Sequence, residues 1–161
     1  MKQIIATNKA PGAIGPYSQG TSCDKLVFTS GQLGIDPATG KLAGQSVEEQ
    51  TMQALKNLGE VLKEGGADYD TVLKTTVYLQ NMSDFASVNS IYATYFKADC
   101  PARSCFAVGA LPMGGLVEIE AIALKKYSCF LAKGFAGKGF ANPFFLVVPR
   151  FLPCAVVKKS V

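Results

Sequence analysis

The amino-acid sequence predicts an α+β fold in which a mixed β-sheet carries two helices on one face. Two segments repeat their apolar residues at helical spacing, and segments with alternating apolar and polar residues precede, separate and follow them. The resulting order is strands, helix, strand, helix and two strands. With 161 residues, 48% of them hydrophobic, the chain is large enough to bury the core of one domain.

The N-terminal part is predicted to form short strands joined by loops. Residues 2–6 are an apolar run typical of an edge strand, and a loop rich in proline and glycine surrounds Tyr17. A strand over 26–30 continues over 33–35, and the turn-forming residues 36–40 favour a hairpin after it.

Two helices are predicted next. Ser46 and Glu49 have the spacing of a capping box, and Gly65 and Gly66 end the first helix. Ser83 is predicted to cap the second helix. Its apolar positions are Phe85, Val88, Tyr92 and either Tyr95 or Phe96.

Three strands complete the sheet, over 73–79, 101–110 and 116–124. In the last strand an apolar row alternates with Glu118 and Glu120, so the glutamates point away from the helices. The apolar row consists of Val117, Ile119, Ala121 and Ala123.

The strand over 101–110 is predicted to turn Arg103 toward the same uncovered face. Arg103 and Cys105 share one face, and Ser104, Phe106 and Val108 share the other. Placing that second row under the helices puts Arg103 on the uncovered side with both glutamates. An uncovered face of this size predicts a homo-oligomer with charged groups at or near its interfaces.

Composition argues against several classes of site. The chain has five cysteines without a C-x-x-C pair and no histidine, so neither a metal site nor a Cys105 thiol nucleophile is expected. Residues 1–126 carry 11 basic and 12 acidic residues, which is not the basic footprint of a nucleic-acid-binding domain. No segment has the length of a membrane span, and no secretory signal is recognised, so a cytoplasmic protein is expected, an organelle being the alternative.

Arg103 and the two glutamates are the residues best suited to chemistry. A guanidinium can hold a carboxylate through two parallel hydrogen bonds, although an interface salt bridge with Glu118 or Glu120 would use the same residue types. Two carboxylates on one strand face can raise each other's pKa and provide a general acid or base, but such pairs also occur on solvated strands.

Six segments resemble the Rid (YjgF) family, in the family's order and at its spacing. They are 10–18 (APGAIGPYS), 29–32 (TSGQ), 74–77 (KTTV), 84–89 (DFASVN), 101–104 (PARS) and 117–123 (VEIEAIA). The resemblance is strongest to the 2-iminobutanoate/2-iminopropanoate deaminase branch. It covers roughly residues 2–126, and the predicted domain is residues 1–126.

The resemblance implies a chorismate-mutase-like subunit in a homotrimer with three clefts between neighbouring subunits. It implies a cofactor-free hydrolysis of 2-imino acids to 2-oxo acids and ammonia. Arg103 would hold the substrate carboxylate, while Glu118 and the backbone carbonyl of Cys105 would hold the water. The other pocket positions implied are Tyr17, Ser30, Gly31 and Asn89.

Other functions remain open at this point. Relatives described as endoribonuclease-type translation inhibitors suggest an RNA-directed activity, and a ligand-binding or chaperone-like trimer without catalysis is a third interpretation. Residues 127–161 are a basic, apolar tail that departs from the family. The tail is interpreted as a translated non-coding or frame-shifted stretch, a membrane-surface attachment, or an extra interface segment.

Overall fold

The structure is a computed structural model that describes residues 1–126. The tail predicted over 127–161 lies outside the described residues. In chain order, the elements are β1 (Gln3–Ile5), β2 (Gly20–Cys23), β3 (Leu26–Thr29), β4 (Gln32–Leu33), β5 (Ile35–Asp36), β6 (Lys41–Leu42), α1 (Val47–Glu64), β7 (Val72–Leu79), α2 (Phe85–Tyr95), β8 (Ala102–Ala107) and β9 (Val117–Leu124). Within residues 1–126, no helix has the length and apolar character needed to cross a membrane.

The main sheet is mixed, as predicted. Its strand order is β1-β2-β3-β9-β7-β8, and β4 also pairs with β9. Strands β7 and β8 are parallel because α2 connects them, whereas the other pairs are antiparallel. This connection leaves β8 at an edge of the sheet. Strands β5 and β6 form a separate two-stranded sheet, which is the predicted hairpin.

The first helix has the predicted ends and covers one face of the sheet. The Ser46 hydroxyl accepts a hydrogen bond from the Glu49 N–H, and the Glu49 carboxylate accepts one from the Ser46 N–H. The helix ends at Glu64, with Gly65 as its C-cap, and Gly66 follows with φ of 80°. Together with the second helix it covers the core, whose fully buried members include Leu55, Leu58, Leu62, Val77, Leu79, Val117 and Ile119.

Several predicted boundaries differ from the structure. Ser83 does not cap α2, because a 3-10 turn over Met82–Asp84 precedes a helix that begins at Phe85. Strand β2 was not predicted, and β8 is shorter than the predicted 101–110. Short polar strands such as β2 (GTSC) carry little hydrophobic periodicity, so a sequence pattern does not reveal them.

The predicted orientation of Arg103 is wrong. Thr75 pairs with both Ala121 and Arg103, and Val77 pairs with both Ile119 and Cys105. Side chains in register share a face, so Arg103 and Cys105 lie on the face that the helices cover. Strand β8 has apolar residues on both faces and lies at the edge, and its alternation therefore does not identify the core side.

The opposite face, called the open face below, carries the two glutamates as predicted. In register across β4, β9, β7 and β8, this face presents Leu33, Glu118, Tyr78 and Phe106. Several large apolar side chains on it are exposed in the single chain, namely Ile4, Leu26, Phe28, Phe106 and Leu124. An apolar surface of this kind is typical of an interaction face.

Candidate active site

A β-bulge shapes the part of the open face around Glu118. Phe28 is opposite Ile122, whereas Gln32 is opposite Ile119, so the three residues 29–31, where β3 passes into β4, face only two residues of β9. At the bulge, the Thr29 hydroxyl accepts the hydrogen bond of the Ala121 N–H at 2.9 Å. The extra residue displaces the backbone at 30–31 from the ladder.

The displaced backbone lies directly against the Glu118 carboxylate. A Cβ atom at Gly31 would overlap the carboxylate, so glycine is required for this approach. The Gly31 N–H has no hydrogen-bond partner among residues 1–126 and is available to a ligand. The neighbouring Ser30 fixes the bulge, because its N–H donates to the Gln19 carbonyl at 2.9 Å and its hydroxyl donates to the Ser18 carbonyl at 2.7 Å.

The two glutamates of β9 differ in their environments. The Glu120 carboxylate accepts a hydrogen bond from the Tyr78 hydroxyl at 3.2 Å, whereas the Glu118 carboxylate has no hydrogen-bond partner in the described part of the chain. Burial raises the pKa of the Glu118 carboxyl, and the nearby charge of Glu120 raises it further. A carboxyl with a raised pKa and no internal partner is suited to exchange protons with a bound water or substrate.

The loop that carries Tyr17 closes one side of a recess next to Gly31. The buried Gln19 side chain holds this loop, because it donates to the Ala10 and Pro11 carbonyls and accepts from the Thr7 N–H. The recess has a volume of about 180 Å³ and no charged side chain in its lining. Its lining includes Ile14, Tyr17, Gly31, Leu33, Ile35 and Met113.

A second group of predicted residues lies at the β8 edge of the sheet. The Val108 N–H donates to the Leu79 carbonyl at 2.9 Å, so strand alternation turns the N–H and C=O of Cys105 away from β7. Within residues 1–126, no strand pairs with that outer edge of β8. The Cys105 backbone carbonyl is therefore available to a ligand, as the family resemblance implies.

The Cys105 thiol is poorly suited to nucleophilic attack. Burial raises its pKa, and the positive charge of Arg103 offsets this only in part. A thiol that stays protonated at neutral pH reacts slowly, because the thiolate is the nucleophile.

The side chain of Arg103 lies against aromatic rings of α2. Its guanidinium carbon is 4.7 Å from the ring centroid of Tyr92 and 5.5 Å from that of Phe85. No carboxylate of residues 1–126 is within salt-bridge distance of it. Asn89 is exposed and lies between those two aromatic residues on the helix surface, at positions i, i+4 and i+7.

The structure therefore places the predicted residues in two groups. The glutamate group contains Tyr17, Ser30, Gly31 and Glu118, and the arginine group contains Asn89, Arg103 and Cys105. Strand β7 separates β9 from β8, and the Glu118 and Arg103 side chains point to opposite faces. One copy of the chain does not bring the two groups around a single small molecule.

Two further residues belong to this surface, although the sequence identified them only as apolar helix positions. Phe85 and Tyr92 are seven residues apart, which places them on one stripe of α2 facing Arg103. The signal available in the sequence was this spacing. It could have been recognised only after the face of Arg103 was known.

Comparison with known proteins identifies a family and several relatives of this chain. The family model described as Endoribonuclease L-PSP matches residues 7–125. Over 125 residues the chain is 53% identical to the mouse protein named 2-iminobutanoate/2-iminopropanoate deaminase, with 78% of this chain and 93% of the mouse protein covered. It is 55% identical over 122 residues to the Arabidopsis thaliana protein named Reactive Intermediate Deaminase A, chloroplastic, with 76% of this chain and 65% of that protein covered.

A solved structure of a relative has the same fold. A Rid-family protein from Yersinia pestis is 47% identical and superimposes with a TM-score of 0.75, covering 77% of this chain and 99% of that protein. The α+β fold with a mixed sheet and two helices is thus shared with solved relatives. The chain belongs to the Endoribonuclease L-PSP family, the family that its sequence motifs indicate under the name Rid (YjgF).

Proposed function

We propose that this protein is a 2-iminobutanoate/2-iminopropanoate deaminase, which hydrolyses reactive 2-imino acids to 2-oxo acids and ammonia. The observation that carries the proposal is the division of the candidate residues into a carboxylate-binding group and a proton-handling group. Each group has unused hydrogen-bonding capacity in the single chain. Relatives with about half of their residues identical carry this activity in their names.

The active site requires two subunits in this proposal. The glutamate group of one copy faces the arginine group of a neighbouring copy, so that a homotrimer has three clefts. The exposed apolar side chains of the open face and the unpaired edge of β8 support an assembly of this kind. The subunit is chorismate-mutase-like, and the active domain consists of residues 1–126.

The reaction begins with the substrate held between the two groups. The Arg103 guanidinium binds the carboxylate of the 2-imino acid through two parallel hydrogen bonds and fixes the position of the C=N carbon. The Gly31 N–H and the Tyr17 hydroxyl hold polar atoms of the substrate. Asn89, beside Arg103, contributes to the same carboxylate-binding surface.

Hydrolysis then needs a positioned water and one group that exchanges protons. Glu118 and the Cys105 backbone carbonyl hold the water against the C=N carbon, and Glu118 accepts a proton as the C–O bond forms. Glu118 passes this proton to the imine nitrogen, which gives a carbinolamine. The hydroxyl of the carbinolamine then loses its proton, which Glu118 transfers to the nitrogen as the C–N bond breaks and ammonia leaves. The carbon is left as the carbonyl of the 2-oxo acid, with no change of oxidation state and no need for a cofactor.

The uncharged recess beside Gly31 is the side-chain pocket in this proposal. A volume of about 180 Å³ accommodates the methyl or ethyl group of 2-iminopropanoate or 2-iminobutanoate. Imines with a second carboxylate in the side chain are expected to bind poorly, because burying a charge without a partner is unfavourable.

An RNA-directed activity is the second candidate, because the family description names an endoribonuclease. The chain has no histidine for acid–base cleavage of RNA, and its residues 1–126 have no excess of basic residues. These features favour the deaminase over the endoribonuclease. We expect the protein to act in the cytoplasm or, like the Arabidopsis relative by its name, in an organelle.

The test generates the substrate in place. A pyridoxal-phosphate-dependent threonine dehydratase acts on threonine while semicarbazide traps the free imine. Wild-type protein should reduce the semicarbazone signal, Arg103→Ala should not, and Lys56→Ala, which removes an exposed positive charge of α1, should act as wild type. The loss in Arg103→Ala should be on the order of 100-fold or more, because the carboxylate is then no longer positioned. Equal activity of wild type and Arg103→Ala would contradict the proposal.

A further inference from the structure

The guanidinium of Arg103 is held by aromatic faces and not by a carboxylate. Tyr92 and Phe85 both contact it, and no acidic residue of the described chain pairs with it. A cation–π contact is an attraction between the positive charge and the ring face, and it does not consume the N–H donors of the guanidinium. The rings can therefore hold the side chain in place while its donors stay available for hydrogen bonds.

Tyr92 is itself rigidly placed. Only 5% of it is exposed, and its hydroxyl forms a hydrogen bond of 2.7 Å with the Thr75 hydroxyl. Its ring stacks on Phe96 with centroids 4.4 Å apart. Thr75 is the register partner of Arg103 on the neighbouring strand. The residue that binds the Tyr92 hydroxyl and the backbone of Arg103 therefore belong to the same sheet.

We propose that Tyr92, tethered by Thr75 and assisted by Phe85, is a positioning residue that fixes the Arg103 guanidinium at the cleft with its donors free for the substrate carboxylate. This inference rests on the proposed function, because Arg103 is taken as the carboxylate-binding residue. Tyr92 remains neutral, since burial raises the pKa of its hydroxyl. A carboxylate partner would have fixed the guanidinium as well but would have occupied two of its donors.

The role predicts a defect in binding more than in proton transfer. Tyr92→Leu should raise KM for the imine and the Kd for 2-oxobutanoate, the reaction product, by about tenfold, with a smaller change in kcat. Tyr92→Phe keeps the ring and should stay within about threefold of wild type, because only the tether to Thr75 is lost. Tyr95→Leu is the matched control, since it removes another α2 aromatic ring that packs on Tyr69 and not on Arg103.

The experiment measures the Kd for 2-oxobutanoate by calorimetry and the position of Arg103 by NMR. The full chain contains only two arginines, so the Nε–Hε signal of Arg103 is identified by its absence in Arg103→Ala. Tyr92→Leu should weaken binding and shift and narrow this signal, because the ring-current shift and the restraint on the side chain are both lost. Tyr95→Leu should leave the Kd and the signal unchanged, whatever its effect on thermal stability.

The outcomes separate this inference from the proposed function. An unchanged Kd and an unchanged Arg103 signal in folded Tyr92→Leu would overturn the positioning role, even if wild type hydrolyses imines. If Tyr92→Leu does not fold, Phe85→Leu takes its place, since Phe85 is on the outer side of the contact and 39% exposed. An unchanged Arg103 signal and an unchanged Kd in Phe85→Leu would overturn the inference as well. Binding of 2-oxobutanoate without imine hydrolysis in wild type would contradict the proposed function alone.

Discussion

The glutamate group and the arginine group are positioned by different means. Around Glu118, the course of the backbone determines the geometry, through a bulge, a glycine and hydrogen bonds that join the Thr29 and Ser30 hydroxyls to main-chain groups. Around Arg103, side chains determine it, through two aromatic rings and an edge strand with a free side. An atom added next to the Glu118 carboxylate should therefore cause a large loss of activity. Removing single contacts of Arg103 should reduce activity gradually.

Apart from the loss of Arg103 itself, the largest effect is expected at Gly31. Gly31→Ala introduces a methyl group into the space of the Glu118 carboxylate and should displace it, with a loss of kcat/KM on the order of 100-fold. Gly109→Ala is the control, because a Cβ atom there has no neighbour within 4 Å. Imine hydrolysis by both variants, with thermal unfolding to monitor the fold, makes the comparison. Near-normal activity of Gly31→Ala would show that the carboxylate need not lie against this backbone.

A smaller effect is expected from the charge beside Glu118. Burial is the main cause of its raised pKa, and Glu120 adds to it, so Glu120→Gln should lower that pKa. Glu118 must be ionised to accept a proton, and activity should therefore rise with pH through its pKa. The acidic limb of kcat/KM should move to lower pH in Glu120→Gln, while the glutamine carbonyl can still accept the Tyr78 hydrogen bond.

The control for this pH profile is Glu64→Gln, which removes an exposed carboxylate at the end of α1 and should leave the profile in place. A limb that moves to higher pH in Glu120→Gln, or that does not move, would exclude Glu118 as the ionising group. Either result would favour a different base for the reaction.

The same contrast explains what the sequence could and could not predict. The α1 capping box, the alternation in β9 and the open-face position of Glu118 follow from local patterns, because buried central strands and capped helices constrain residue type strongly. The side of the sheet on which Arg103 lies was predicted wrongly, because β8 is an edge strand with apolar residues on both faces. The contact with Tyr92 depends on tertiary packing between α2 and β8, which no local pattern encodes.

The smallest effect is expected from substitution of Cys105, whose backbone and side chain have different environments. Its backbone faces the free edge of β8, and its thiol is held protonated by burial. If the reaction uses only the carbonyl, Cys105→Ala should keep kcat/KM within about threefold of wild type, because the strand and its backbone direction are unchanged. Imine hydrolysis before and after treatment with a thiol-alkylating reagent checks this. A loss in Cys105→Ala comparable to that in Arg103→Ala would mean that the thiol itself takes part, and that the arginine group holds a reacting side chain as well as a carboxylate-binding one.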